Sequence, residues 1–440
     1  MSWTSLQEAE RLTNVYDSDA VGIVRRLFHR LHDVDDLHAH SVGAYSAYAP
    51  VTIGAPCTRS NGGAGTSRAQ ARVAAIGETV ERYSSAWLPH EELVRGSFEE
   101  LQQDRHCLHP EEIQLFSDEQ LDDPNFEFSR LGTHDVIEWV ESQDVHTGRR
   151  TWIPAQLAFL NSSLATEHRI VHPTSNGLAF GSRHEEALCS AILELIERDA
   201  VMTAWYNRLT LPLIDIDSDS ILKDYFDRHL RPSGLDISVV DLSILAGVPA
   251  AVSVVRNTHG ETAPLGIGAA ASSSPITAAI KAANEAVASR GWAALKQRQG
   301  TTLDPQSNWK QTINDFEDHI ALYTNETMAE RTRFLDSSQE RVAVSEIASL
   351  QAEHPEDLYQ QLAATLAGQG ATVYSIDVSS PDVIEGGGAV IRAYSPQLQP
   401  LDVSYAARYL GGHRLRQRPV EVGLLTSPSD QFNDLPHPFP

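Results

Sequence analysis

The 440-residue chain holds three cysteines, Cys57, Cys107 and Cys189, with no CxxC pair and no cysteine-histidine ligand spacing. A disulfide framework and a structural zinc site are thereby excluded, and Cys189, set among apolar positions, reads as a buried thiol. Long apolar runs are also missing. The longest, around Ile244 to Val255, is too short to span a bilayer, and the opening Met-Ser-Trp-Thr-Ser-Leu-Gln-Glu has no basic or apolar signal segment. A cytoplasmic location and no membrane partner are expected. Positive charge is scarce: 34 Lys and Arg stand against 59 Asp and Glu, a formal net charge of −25. Phosphate backbones would be repelled, so nucleic acid is not expected as a partner. The one arginine-dense stretch, Arg408 to Arg418, reads as a solvated strand-and-turn face. There is no GxxxxGK followed by Ser or Thr, hence no P-loop. Gly266-Ile267-Gly268-Ala269-Ala270-Ala271 fits GxGxxA without the βαβ setting that a dinucleotide site needs.

With 41% hydrophobic residues the chain can bury a large core. Val21, Val24, Leu27, Phe28 and Leu31 fall at helical spacing, so residues 1–50 read as mainly helical, with a strand-like piece near Val42 to Ala49. A glycine-rich turn, Ser60 to Gly65, leads to a helix with Thr66 and Ser67 as candidate N-caps and Pro89 beyond its end. The stretch 101–130 is acidic and loop-rich. Val136 to Ile153 reads as two strands joined at His146-Thr147-Gly148. A second turn, Ser175-Asn176-Gly177, precedes the most apolar helix, Glu185 to Trp205. Strands follow at Ile237 to Leu242 and Ala250 to Val255, then a helix from Ser274-Pro275 to Gly291. Region 301–370 reads as helical and polar, and 371–425 as strands and turns. The fold class is α/β (α+β), one compact unit with an appended helical segment.

Two segments echo each other. Ser60-Asn61-Gly62 with Gly65, Ser67-Arg68 and Glu78-Thr79-Val80-Glu81-Arg82 matches Ser175-Asn176-Gly177 with Gly181, Ser182-Arg183 and Glu194-Leu195-Ile196-Glu197-Arg198, allowing one residue of slip. In each, a turn feeds a helix carrying two glutamates at i and i+3, neighbours on one face. The second helix is apolar nearly all round yet carries Glu194, Glu197 and Asp199. Buried carboxylates need cations or strong donors. Arg82 and Arg198 could supply them by pairing; so could Mg²⁺, a hard ion that takes a few carboxylates and completes its shell with phosphate oxygens. Repetition of the pattern favours Mg²⁺, with the arginines clamping a triphosphate.

Ser175-Asn176-Gly177-Leu178-Ala179, Glu186-Ala187 and Glu194 to Asp199 together resemble the central signature of YcaO proteins. The earlier turn with Glu78, Glu81 and Arg82 resembles that family's first motif, and Lys281 to Arg290 its later nucleotide-side helix. The resemblance implies a YcaO-type fold of mixed sheets and packed helices, with no P-loop or Rossmann domain, over residues 55–440 behind an extension at 1–54. It implies ATP and Mg²⁺ as cofactors, with Glu78, Glu81, Glu194 and Glu197 on the metal. Ser60, Arg68, Arg72, Ser175, Asn176, Arg198, Glu285 and Arg290 are implied on the nucleotide. The sequence departs from the family twice. Gly63-Ala64-Gly65 lacks the lysine of the usual Gly-Lys-Gly, so a cation there would come from Arg59, Arg68 or Arg72, and Ala288 replaces a frequent glutamine.

The chain ends Pro436-His437-Pro438-Phe439-Pro440. A proline-rich terminus is ordinarily a stiff, frayed segment. In YcaO proteins a Pro-x-Pro-x-Pro ending resembles the azoline-forming cyclodehydratases, which implies catalytic involvement of Pro436, Pro438 and Pro440. The implied reaction converts Cys, Ser or Thr of a ribosomally made precursor peptide to thiazoline or (methyl)oxazoline. Thioamidation, macroamidine formation and a catalytically weak binding subunit are the alternatives. The stretch before residue 55 is too short for an ordinary domain. An E1-like, leader-peptide-binding partner protein is therefore expected, as are a flavin-dependent azoline dehydrogenase and a homodimer within a larger complex.

Overall fold

Residues 3–29, 40–164, 168–260, 262–429 and 431–439 are described in the computed structural model. Helix α1 (Leu6–Thr13) leads to strand β1 (Val24–His29), which pairs antiparallel with β2 (His40–Ser46) and through it with β3 (Ser60–Gly65). The helix expected over 1–50 is thus mostly sheet, and Leu31 lies outside the described residues. A bulge explains the misreading. Val24 faces Ser46, Arg26 faces Tyr45 and Leu27 faces Ala44, so one extra residue puts Val24 and Leu27, three apart, on one face.

Ser60 to Gly65, read as a turn, is a strand whose glycines serve packing. Helix α2 (Arg68–Ala86), capped by the Ser67 hydroxyl, lies so close that a Cβ on Gly63 would sit 2.2 Å from the Ala75 nitrogen. The same device recurs after β4 (Val94–Gly96) and the hairpin β5 (Ile137–Asp144) and β6 (Arg150–Pro154). Strand β7 (Leu178–Gly181) precedes α3 (His184–Tyr206), and a Cβ on Gly181 would lie 2.6 Å from the Ala187 nitrogen.

It recurs again beyond β8 (Leu213–Asp215), α4 (Ser220–His229), β9 (Asp236–Asp241) and β10 (Ala250–Arg256). Strand β11 (Leu265–Ala271) lies on α5 (Pro275–Arg298), where Cβ atoms on Gly266 and Gly268 would meet helix backbone at 2.3 and 2.2 Å. The GxGxxA pattern is therefore a sheet-to-helix contact. Helix α5 continues through Gly291, since Ala293, Ala294 and Ile320 bury its last turns and outweigh the roughly 1 kcal/mol helical cost of glycine.

Later elements include α6 (Phe316–Leu322), β12 (Arg341–Ala343), α7 (Pro355–Gly368), β13 (Tyr374–Asp377), β14 (Ala389–Tyr394) and α8 (His413–Glu421), with shorter helical turns between. Strand β12 joins the sheet β11-β10-β9-β8-β12, so region 301–370 is built into the sheet rather than merely appended. The third sheet has the order β4-β5-β13-β14-β7, with β6 on β5. Within the arginine-dense stretch, read as strand and turn, α8 is a helix. Arg414 is buried in it because the Asp199 carboxylate of α3 accepts from its Nε at 2.8 Å.

Each of β3, β7 and β11 packs on the helix that follows it and also on the helix of another unit: β3 on α5, β7 on α2, β11 on α3. Three strand-helix units thus close into a cycle. No helix among the described residues is long and apolar enough to cross a membrane.

Candidate active site

The cycle turns corresponding positions of α2, α3 and α5 toward one another. In each unit a backbone amide of the strand or of the turn before it donates to the leading helix glutamate. Gly62 N–H reaches Glu78 at 3.0 Å, Ala269 N–H reaches Glu285 at 3.1 Å, and Gly177 N–H reaches Glu194. Gly177 has φ +74°, a left-handed turn suited to glycine. Glu285 is therefore the third copy of a position that the sequence repeats openly only twice. One helical turn on, Glu81 and Glu197 add second carboxylates, while the third unit has Ala288 there. Arg82 and Arg198 follow, each one turn after its leading glutamate: Arg82 pairs with Glu78 at 2.9 Å, and Arg198 Nε lies 3.7 Å from Glu197 and 3.9 Å from Glu194.

These charges feel one another across the units. Burial raises the pKa of Glu81 well above the usual range, and Glu194 raises it further against the pull of Arg82. Burial likewise pushes Glu197 up, opposed by Arg198 and reinforced by Glu285 and Glu194. Glu194 is pushed up by burial to about 7, with Arg198, Arg392 and Arg82 pulling it back. Glu285 is raised by burial and held down by Arg198 and the Ala269 amide. Burial opposes the charge of Arg198 too, but Glu197, Glu194, Glu285 and Glu81 outweigh it.

Arg392 on β14 carries no motif yet enters this field. Burial lowers its pKa to about 10, countered by Glu194 and Glu81, so it stays charged at neutral pH. Its guanidinium donates to the carbonyls of Asn176, Thr174 (2.7 Å) and Ala158 (3.2 Å), fastening the turn before β7. The only sequence signal was an arginine inside an apolar strand.

Other predicted residues are placed differently. Arg72 is held by Asn14 at 2.6 Å and Asp17 at 2.7 Å, because the segment after α1 packs on its helix. In the ligand-free fold Arg72 is thus paired with the N-terminal segment. The Asn176 amide group donates to Thr174 Oγ1 and the Leu401 carbonyl, both at 2.9 Å, so it ties two loops together. Ser60 and Arg68 are exposed at the starts of β3 and α2, and Ser175 accepts from the Leu178 amide at 2.8 Å. Arg290 is buried and its Nη2 reaches the Thr262 carbonyl at 3.4 Å. A cavity of about 570 Å³, lined by His109, Gln397, His413 and Arg414 among others, opens by the Asp199 pair and not at the glutamates.

Among the described residues no three carboxylates, histidines or cysteines converge closely enough to form a metal ligand shell by themselves. The donor set nonetheless suits Mg²⁺ with a polyphosphate, since Mg²⁺ takes one or two carboxylates and fills its octahedron with phosphate and water. Arg82 Nε and Arg198 Nε, both buried, have no hydrogen-bond acceptor, which leaves donors aimed among the acids for phosphate oxygens.

The raised acids have a measurable sign. In the ligand-free fold they favour the protonated form, so their stabilising contribution is complete below about 4.5 and is lost as pH rises through the folded value, about 7 for Glu194. Binding a nonhydrolysable ATP analogue with Mg²⁺ requires them ionised. It should release on the order of one proton near pH 6, with affinity rising toward pH 8. Calorimetry in buffers of different ionisation enthalpy reads this directly; binding with no proton release would contradict the electrostatics.

A family model described as YcaO cyclodehydratase, ATP- and Mg²⁺-binding, matches residues 62–399. An uncharacterized protein of Methanothermobacter thermautotrophicus is 26% identical over 269 residues, 59% of this chain and 64% of that protein. A heterocyclase in complex with substrate and cofactor superposes with a TM-score of 0.81 at 23% identity, covering 99% of this chain and 57% of that one. YcaO from Methanopyrus kandleri bound with AMPPCP and Mg²⁺ superposes at 0.64 with 20% identity, covering 90% of this chain and 92% of that one. The E. coli microcin synthetase McbBCD complex with pro-MccB17 bound gives 0.53 at 15%, covering 84% and 88%. The chain thus spans 64% of the curated relative's length and 57% of the first heterocyclase.

Proposed function

The chain belongs to the YcaO family, and from that premise we propose that it is an ATP- and Mg²⁺-dependent cyclodehydratase of a ribosomally made precursor peptide. A Cys, Ser or Thr side chain gives its proton to a base as it adds to the preceding amide carbonyl, and the resulting oxyanion takes the γ-phosphoryl group of ATP, leaving ADP. Loss of phosphate, with the amide proton going to a base, then forms the C=N bond of the azoline. Glu78, Glu81, Glu194 and Glu197, with Glu285 beside them, would hold Mg²⁺, which supplies charge neutralisation for the triphosphate. Arg82 and Arg198 would clamp phosphate oxygens. What carries the reading is that five glutamates and these arginines, drawn from three separate units, share one electrostatic field.

The tail supports the azoline branch. Residues Leu435 to Phe439 are buried against α3 and α6 rather than frayed, and the charge of Arg198 is felt at His437. Pro440 lies outside the described residues; its carboxylate is proposed to orient or deprotonate the substrate. A separate E1-like, leader-binding protein is proposed as partner; the microcin synthetase with pro-MccB17 bound is itself a complex. A flavin-dependent dehydrogenase would act afterwards.

The test combines the chain with ATP, Mg²⁺, precursor peptide and partner, and reads peptide mass. Loss of one water per modified residue, with fragmentation placing the ring at Cys, Ser or Thr, is expected; oxygen-to-sulfur exchange would refute it. Adding one residue after Pro440 should slow ring closure at least about tenfold, the scale of one misplaced catalytic group, while analogue affinity stays unchanged. An unaltered rate removes the tail from the reaction.

A further inference from the structure

Prolines 436 and 438 have no N–H, so the tail can bond the core chiefly through its carbonyls. Three successive carbonyls are taken. Trp205 Nε1 of α3 donates to Leu435 O at 3.2 Å, and the Tyr323 hydroxyl, just past α6, donates to Pro436 O at 2.5 Å. His319 Nδ1 of α6 lies 2.7 Å from His437 O. His319 and Tyr323 stand four residues apart on one helical face, so their side chains meet successive peptide units of an extended strand.

His319 is the anchor nearest the terminus and has the most constrained chemistry. It is fully buried, and its ring stacks on that of His437 with centroids 3.9 Å and planes 11° apart. Its other nitrogen, Nε2, lies 3.1 Å from the Val403 carbonyl. Both partners are acceptors, so a neutral imidazole with one N–H can satisfy only one of them. Burial, and then the neighbouring His437, lower the His319 pKa to about 3, so the ring is neutral at neutral pH. The contact to the tail, at 2.7 Å against 3.1 Å, is the closer of the two and favours the tautomer with the proton on Nδ1. On the facing side His437 Nε2 is 2.8 Å from the Asp402 carbonyl, and Asp402 Oδ1 accepts from the Tyr206 hydroxyl at 2.7 Å, so the second ring is held as well.

We infer that His319 is a positioning residue for ring closure: its Nδ1–H, on the His437 carbonyl, sets how far the end of the tail reaches toward the glutamate site. The inference rests on the reading that the tail serves the reaction. Three residues beyond this bond span at most roughly 10 Å, so an error at His437 is carried undamped to the terminus.

The test separates a donor at one nitrogen position from a donor at the other. In His319→Asn the side-chain amide nitrogen falls near the place of Nδ1; in His319→Gln it falls near that of Nε2. Ring closure on a precursor peptide with a single internal cysteine, presented with the leader-binding partner, is measured beside affinity for a Mg²⁺-bound nonhydrolysable ATP analogue. His319→Gln and His319→Phe should lose about 100-fold in kcat, His319→Asn should stay within about tenfold of the parent, and analogue affinity should not move. Equal rates for the Asn and Gln variants, or a loss that tracks analogue affinity, overturn the proposal. The chain extended beyond Pro440 is run in parallel. If extension has no effect, the tail reading itself fails; if extension slows the reaction while His319→Phe does not, only the role of His319 fails.

Discussion

Replacing Glu197 with Gln should reduce phosphate release from ATP, in the presence of precursor peptide and partner, by about 100- to 1,000-fold, the usual cost of removing one preorganised charge from an active site. Its side chain is only 15% exposed and is surrounded by Arg198, Glu285, Glu194 and Lys281. The substitution keeps the shape and removes the charge. Because burial already raises the Glu197 pKa, the neutral amide suits the ligand-free fold at least as well as the carboxylate, and the melting temperature should hold or rise. Activity and stability moving in opposite directions marks an acid kept for chemistry. A variant within about twofold of the parent rate would remove Glu197 from the site, and a collapse in stability would make it a structural ion-pair partner instead.

Arg392→Met should lower unfolding free energy by about 3–5 kcal/mol, the scale for removing one partner from a buried charge network. Three carbonyls lose their donor together, and Glu194 and Glu81 lose a counter-charge. Arg392→Lys should restore less than half of the loss. An ammonium supplies the charge but not a planar fork spanning Asn176, Thr174 and Ala158. Urea denaturation at pH 7 measures both variants, and a loss below about 1 kcal/mol for the Met variant would show that the turn before β7 holds itself.

Much of this site could be read along the chain because its signals are local. The Ser67 cap, the helices carrying Glu78-x-x-Glu81-Arg82 and Glu194-x-x-Glu197-Arg198, and the hairpin at His146-Thr147-Gly148 depend on neighbours a few residues apart. The third unit was obscured because it keeps the strand glycines and Glu285 but has neither Ser-Asn-Gly nor a second glutamate. Glu285 came from the family resemblance, and its equivalence to Glu78 became plain only from the bonds of the Gly62 and Ala269 amides. Arg392 was illegible for another reason: its carbonyl partners lie more than 200 residues away. Arg72, implied on the nucleotide by the family resemblance, pairs in this fold with Asp17, a partner that no local signal announces.

The carbonyl ladder of the tail also bears on timing during synthesis. Trp205, His319 and Tyr323 all emerge from the ribosome well before the residues whose carbonyls they bind. A nascent chain can therefore gather all three glutamate helices while the slot for the tail stands open. Residues 431–439 then fill a slot whose walls are already built, so their burial is a late event in the folding of these elements.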